Sequence, residues 1–210
     1  MRFPLAIAVF AAGAVACSAD ALPNTPDETP IIVAFGDSLT SGPGLRPEQT
    51  YPSLLQERIA EEHRDYRVIN AGVTGDTSTE ALRRFDAALV PDTTIVILAI
   101  GINDGLRGVP VSTVEQNIAS MIERAQAREI AVLLCSMEAP PVGPGGFSYT
   151  IEFHRLYTRL ADRYRVTLVP FFLIAIVGND ELNLNDSLHP NAAGHRVIAD
   201  AIWPYLRPML

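Results

Sequence analysis

Five short runs rich in Val, Ile and Leu, near residues 31–35, 66–70, 94–100, 130–136 and 166–170, are separated by longer stretches of helical periodicity. That alternation constrains the fold more than any other feature of the chain. Strands apolar on both faces must be covered by helices on both sides, and strands joined through helices run parallel with right-handed crossovers. A helix expected at 112–128 opens with a capping box, Ser112-Thr113-Val114-Glu115, and carries Val114, Ile118, Ile122 and Ala125 on one face. Others are expected near 51–63, 78–89 and 148–164, and a last one near 192–206 whose apolar side reads Val197, Ile198, Ala201, Ile202 and Tyr205. The pattern holds no internal repeat and no second domain.

The N-terminus does not fit this pattern. Arg2 precedes an uncharged, Ala-rich segment from Phe3 to Ala19, short of the ~20 apolar residues that span a bilayer. It reads as a secretory signal over residues 1–16, followed by a Pro-rich tether over 17–29 and one domain over 30–210. Ala14-Val15-Ala16-Cys17 resembles a lipoprotein signal in which Cys17 is lipidated; simple cleavage near Ala16, Ala19 or Ala21 is the rival, and both stay open. Either way the chain is expected to be exported, as a periplasmic, membrane-anchored or secreted protein. The formal charge of −8 makes nucleic acid and anionic lipid poor partners. All 16 basic residues are Arg, so lysine-dependent chemistry is excluded. Cys135 sits in the apolar run Ile130-Ala131-Val132-Leu133-Leu134-Cys135 and reads as a buried thiol.

Polar, turn-forming segments follow the apolar runs. Gly36-Asp37-Ser38-Leu39 follows the first, Asn70-Ala71-Gly72-Val73-Thr74-Gly75-Asp76-Thr77 the second and Gly101-Ile102-Asn103-Asp104-Gly105 the third, while Asp186-Ser187-Leu188-His189 precedes the last helix. In a parallel sheet the C-terminal strand ends share one edge, so these segments converge on one crevice. Each alone has a plain reading as a turn, a helix cap or a helix entrance. Ser, Asp and His also follow the chain order of a serine-hydrolase triad, although unrelated folds use other orders.

The four blocks together resemble the GDSL, or SGNH, hydrolase family, and within it the thioesterase I/lysophospholipase-like arylesterase group, over roughly residues 31–208. The resemblance implies Ser38 as nucleophile, His189 as general base, Asp186 as its orienting partner, and Ser38, Gly72 and Asn103 as oxyanion donors. Ile102 stands where close relatives often have Gly and is expected to narrow the cleft.

The chemistry asks for these residue types. A serine hydroxyl needs a base to take its proton, a neutral imidazole can do so, and a carboxylate three residues earlier can orient the ring. Oxyanion donors must be in place beforehand: a backbone N–H, a glycine N–H open to close approach and an Asn amide. There is no His-x-x-x-His pair and no Cys cluster, so neither metal nor cofactor is expected. His63, His154 and His195 read as surface or helix residues. The Pro/Gly-rich loop Ala139–Phe147 follows the fourth strand at the same rim, where Leu106 and Phe147 are candidates to line an acyl groove.

The resulting expectation is a monomeric three-layer α/β hydrolase of flavodoxin-like layout, five parallel strands in order 2-1-3-4-5, cleaving small esters or lysophospholipids through an acyl-Ser38 intermediate. Carbohydrate O-deacetylation by the same triad is the second reading. A phosphate or nucleotide binder using Asp37-Ser38-Leu39-Thr40-Ser41-Gly42 is the third, and it leaves Asp186 and His189 unexplained.

Overall fold

A computed structural model describes residues 29–140 and 146–210. The signal, the tether as far as residue 28, Cys17 and the tip of the Ala139–Phe147 loop lie outside the described residues. The strands are β1 (Ile31–Gly36), β2 (Arg67–Gly72), β3 (Thr93–Ala99), β4 (Ala131–Cys135) and β5 (Thr167–Val169). The helices are α1 (Ser38–Ser41), α2 (Tyr51–Glu61), α3 (Ser78–Ala88), α4 (Ile102–Arg107), α5 (Val111–Gln126), α6 (Gly146–Tyr164) and α7 (Ala192–Leu206). All strand pairs are parallel and the order is β2-β1-β3-β4-β5, as expected.

Burial explains the order. Every residue of β1 is buried and β3 is buried from Ile95 onward, whereas the edge strand β2 is only half covered. The most continuous apolar runs therefore occupy the middle, between a layer holding α3, α5 and α6 and another holding α2 and α7. Each buried Val, Ile or Leu contributes about 1.5–3 kcal/mol, so truncating Ile97, fully buried in β3, to Ala should cost about 2–5 kcal/mol.

Two local readings shift. The helix read as starting at Ser112 begins at Val111, with Pro110 in the cap position and no side-chain cap bond, so the Ser112–Glu115 box does not form there. A proline fixes φ for helix entry and displaces the cap upstream. A capping box forms instead between Thr77 and Glu80 at the start of α3. On α7 the buried stripe is His195, Ile198, Ala199, Ile202 and Leu206, while Val197, Ala201 and Tyr205 are only half-buried. The stripe is rotated because an imidazole occupies a core position, which apolar periodicity does not register.

Candidate active site

The strand ends Gly36, Gly72 and Ala99 stand at one edge of the sheet, with α1, the Val73–Thr77 turn and α4 directly above them. Ser38 is the first residue of α1. Asp37 caps that helix, its Oδ1 accepting from the Leu39 N–H at 3.0 Å while its carbonyl accepts from Thr40 and Ser41. The Ser38 N–H has no partner among the described residues, the usual state of a first-turn amide. Ser38 itself is nearly buried and lines the crevice.

Gly72 is required by close packing. A Cβ there would stand 2.2 Å from the Ser41 nitrogen and 2.8 Å from the Thr40 carbonyl carbon, so α1 could not settle on the end of β2. The Gly72 N–H donates to Asn70 Oδ1 at 3.0 Å, and Asn70 Nδ2 donates to the Thr40 carbonyl at 2.8 Å. Gly101 turns the chain from β3 into α4 at φ +122°, with the Tyr157 hydroxyl where a Cβ would project. That turn delivers Asn103, whose Nδ2 gives one hydrogen to the Asp76 carbonyl at 2.9 Å and keeps the other. Beside it the buried Asp104 carboxylate accepts from the Ser78 N–H and hydroxyl at 2.7 and 2.8 Å, fastening α4 to α3.

Asp186 and His189 sit on a tight turn before α7. Asp186 Oδ1 accepts from the Leu188 and His189 N–H groups at 3.0 and 2.9 Å, and its Oδ2 lies 2.7 Å from His189 Nδ1. The His189 N–H, then the imidazole, then the Leu188 N–H hold the Asp186 carboxyl well below the usual range. Nδ1 is thereby committed as donor to a permanent carboxylate, leaving Nε2 as the basic nitrogen. Ser187 takes a left-handed φ of 54° to close the turn. Asn183 and Asn191 pin it, donating to the Ile176 and Asn179 carbonyls and to the Glu181 and Asn183 carbonyls respectively.

These elements meet in space. Ser38, Asn103 and His189 line one cavity of about 90 Å³, its remaining walls being Leu39, Ile102, Leu106, Leu173, Val177 and Leu188. A second cavity of about 280 Å³ shares Ile102, Leu106, Leu173, Val177 and Leu188 and continues past Phe171 to Pro140. Leu106 and Ile102 thus line the crevice, whereas Phe147, 71 % exposed at the start of α6, lies outside both linings. A larger depression of about 390 Å³ lies at the opposite sheet edge among Gln126, Glu129 and Arg165, away from the serine and the imidazole.

Sequence reasoning missed the roles of Arg84 and His195, and it read Asp37 only as a turn residue at the crevice. Arg84 on α3 donates to Asp76 Oδ2 at 2.6 Å, to the Ala71 carbonyl at 2.8 Å and to the Gly36 carbonyl at 2.8 Å, with its guanidinium 4.1 Å over the Phe35 ring. It sutures the ends of β1 and β2 to the turn that holds Asn103. Asp37, fully buried with Oδ2 unpartnered among the described residues, has its carboxyl pushed up to about 7, chiefly by burial and secondarily by Asp104 and Asp76. His195 packs under Gly42 at the end of α1. Only Asp37 had a signal, its place beside Ser38.

Residues 34–197 match the family described as the GDSL-like lipase/acylhydrolase family. The chain is similar to the esterase TesA of Pseudomonas aeruginosa, 38% identical over 181 residues, which cover 85% of this chain and 89% of that protein. It is similar to an arylesterase of Vibrio mimicus, 33% identical over 81% of this chain and 85% of that one. The psychrotrophic esterase EstA from Pseudoalteromonas sp., solved with monoethylphosphonate as inhibitor, superposes with a TM-score of 0.79 at 34% identity over 85% of this chain and 97% of that one.

Proposed function

The chain belongs to the GDSL-like lipase/acylhydrolase family and is an ester-bond hydrolase, and from that premise we propose that it works through an acyl-Ser38 intermediate, with His189 as general base oriented by Asp186. The observation that carries this reading is the single cavity lined by Ser38, Asn103 and His189, behind which the 2.7 Å Asp186–His189 contact fixes the tautomer. His189 Nε2 accepts the Ser38 proton as Oγ attacks the ester carbonyl. The oxyanion that forms is held by the Ser38 N–H, the second Asn103 Nδ2 hydrogen and the Gly72 N–H, which leaves Asn70 to do so. Collapse expels the alcohol with the proton from His189, and water repeats the sequence on the acyl enzyme.

The aliphatic walls of the joined cavities favour an acyl chain, so lysophospholipids, aryl esters and acyl thioesters are the substrates we assign. The carbohydrate reading gains little support, since Phe171 is the one aromatic residue in these linings and Trp203 packs against the core from α7. A phosphate ligand at α1 would meet the buried carboxyls of Asp37 and Asp104. Titration with a p-nitrophenyl phosphonate tests the proposal: one equivalent should be taken up and the adduct should map to Ser38. An adduct on another residue, or none, would overturn it.

The same reading includes export. Arg2 followed by the uncharged segment to Ala19 supports a cleaved signal, with Cys17 lipidated or the chain cut nearby. Intact mass of the native N-terminus separates the two: diacylglyceryl mass on Cys17 supports anchoring, and a free amine near Ala19 refutes it.

A further inference from the structure

The large hydrophobic side chains that stand exposed among the described residues are Val73, Leu106, Phe147, Ile151, Ile174, Val177 and Leu188. All seven fall at the C-terminal edge of the sheet: Val73 just after β2, Leu106 on α4, Phe147 and Ile151 in the first two turns of α6, and the others between β5 and α7. Ile174 at 79 % and Val177 at 68 % are among the most exposed of them. The opposite edge is built otherwise. Its turns are Glu61-Glu62-His63-Arg64-Asp65, Asp92, Arg128-Glu129 and Arg165, polar and charged residues that are mostly exposed.

Scattered exposed aliphatics need no explanation, but their concentration around one opening marks an interaction face. Here they surround the crevice, and Leu106, Val177 and Leu188 belong to both its wall and the outer surface, so the apolar path is continuous from solvent to Ser38. The charges bordering the face select the kind of surface it meets. Asp180 and Glu181 stand exposed along it, with the Glu138 carboxylate paired to the His154 ring at 3.1 Å and the Arg107 guanidinium turned back onto the Gly75 carbonyl at 3.0 Å. With a chain charge of −8, an anionic lipid surface is repelled. A zwitterionic headgroup instead offers an outward cation to those carboxylates and hydrocarbon to the aliphatics.

We propose that this edge of the sheet is an interfacial face, which seats the enzyme on aggregates of zwitterionic phospholipid so that an acyl chain passes from the aggregate into the crevice without crossing water. The proposal rests on the esterase reading above. Aggregated lysophosphatidylcholine is then attacked in place, and long-chain turnover rises sharply once its micelles form, whereas hydrolysis of a soluble acetyl ester is indifferent to lipid.

The test uses the full chain carrying Cys17→Ser, so that no lipid anchor contributes, and the same chain with Ile151→Ser and Ile174→Ser, residues outside both cavity linings. Binding is read without turnover, by co-sedimentation with sucrose-loaded phosphatidylcholine vesicles and, in a parallel arm, phosphatidylglycerol vesicles. The parent should partition onto phosphatidylcholine, and the double variant should lose roughly tenfold or more of that partitioning while hydrolysing p-nitrophenyl acetate unchanged. Equal sedimentation of both proteins, no binding of the parent, or preference for phosphatidylglycerol would each overturn the proposal. So would a concentration-dependent dimer abolished by the same substitutions, because the face would then belong to a second copy. Vesicle binding that persists in a protein unable to cleave the soluble ester would sink the esterase reading alone.

Discussion

The Tyr51 backbone N–H donates to Nδ1 of His195 at 3.0 Å, joining the first residue of α2 to α7 across 144 positions of chain. The Tyr51 hydroxyl then meets Thr40 Oγ1 at 3.0 Å, so the helix that follows His189 is tied to the helix that begins with Ser38. His195 is fully buried and burial lowers its pKa to about 4. It therefore remains neutral and works as an acceptor.

This yields a pH prediction. A histidine whose folded pKa is depressed supports the fold above its unfolded value near ~6.5, and that support drains away as pH falls from there toward 4. Between pH 7 and 4.5 it amounts to about 2 kcal/mol. His195→Asn keeps an acceptor for Tyr51 without the titration, so its urea stability should be lower at pH 7 but vary less over this interval. A parallel decline in both proteins would reject the assignment.

Ser38→Ala and His189→Ala should each remove nearly all ester turnover with the thermal midpoint retained, and the double variant should be no slower than either single one, because the residues act as a unit. Asp186→Asn should be milder than His189→Ala, yet still large. Additive losses measured on p-nitrophenyl butyrate would contradict the common mechanism.

Asn103→Ala should lower kcat by about 10²–10³ with little change in KM, since the amide is used as charge develops on oxygen. If KM alone rose, Asn103 would serve substrate binding instead.

Arg84→Lys retains a charge but cannot reach Asp76, Ala71 and Gly36 together. It should cost about 1.5–3 kcal/mol of stability and reduce kcat more than it changes KM, through the turn that holds Asn103. In a double-mutant cycle the Arg84 and Asn103 effects on kcat should be less than additive. Full additivity would confine Arg84 to stability.

Asp37 carries the opposite linkage. An acid whose folded pKa is raised to about 7 from an ordinary 3.8 loses stability as pH climbs between those values. Asp37→Asn keeps the cap to Leu39 and removes the buried charge, so it should raise the melting temperature at pH 8, by on the order of 2–4 kcal/mol in stability, and lose that advantage by pH 4. A benefit independent of pH would show that the carboxyl does not titrate there.

The strands, their parallel order and the edge where the motifs gather were legible in the sequence because each depends on patterns a few residues long. Alternating Val/Ile/Leu runs and helical spacing specify elements, and parallel elements put Ser38, Gly72 and Asn103 at one rim. The Asp186–His189 contact was legible too, since a turn of four residues closes it. What local pattern cannot carry is contact between distant segments. Arg84 bridging two strand ends, His195 at a core position facing Tyr51, Ser41 packed on Gly72 and the aliphatic face around the crevice all arise only when the sheet brings remote elements within bonding distance. The sequence by itself determined which elements form and which side chains could react; the tertiary structure decided which of them meet, because burial and partner geometry are properties of the packed chain.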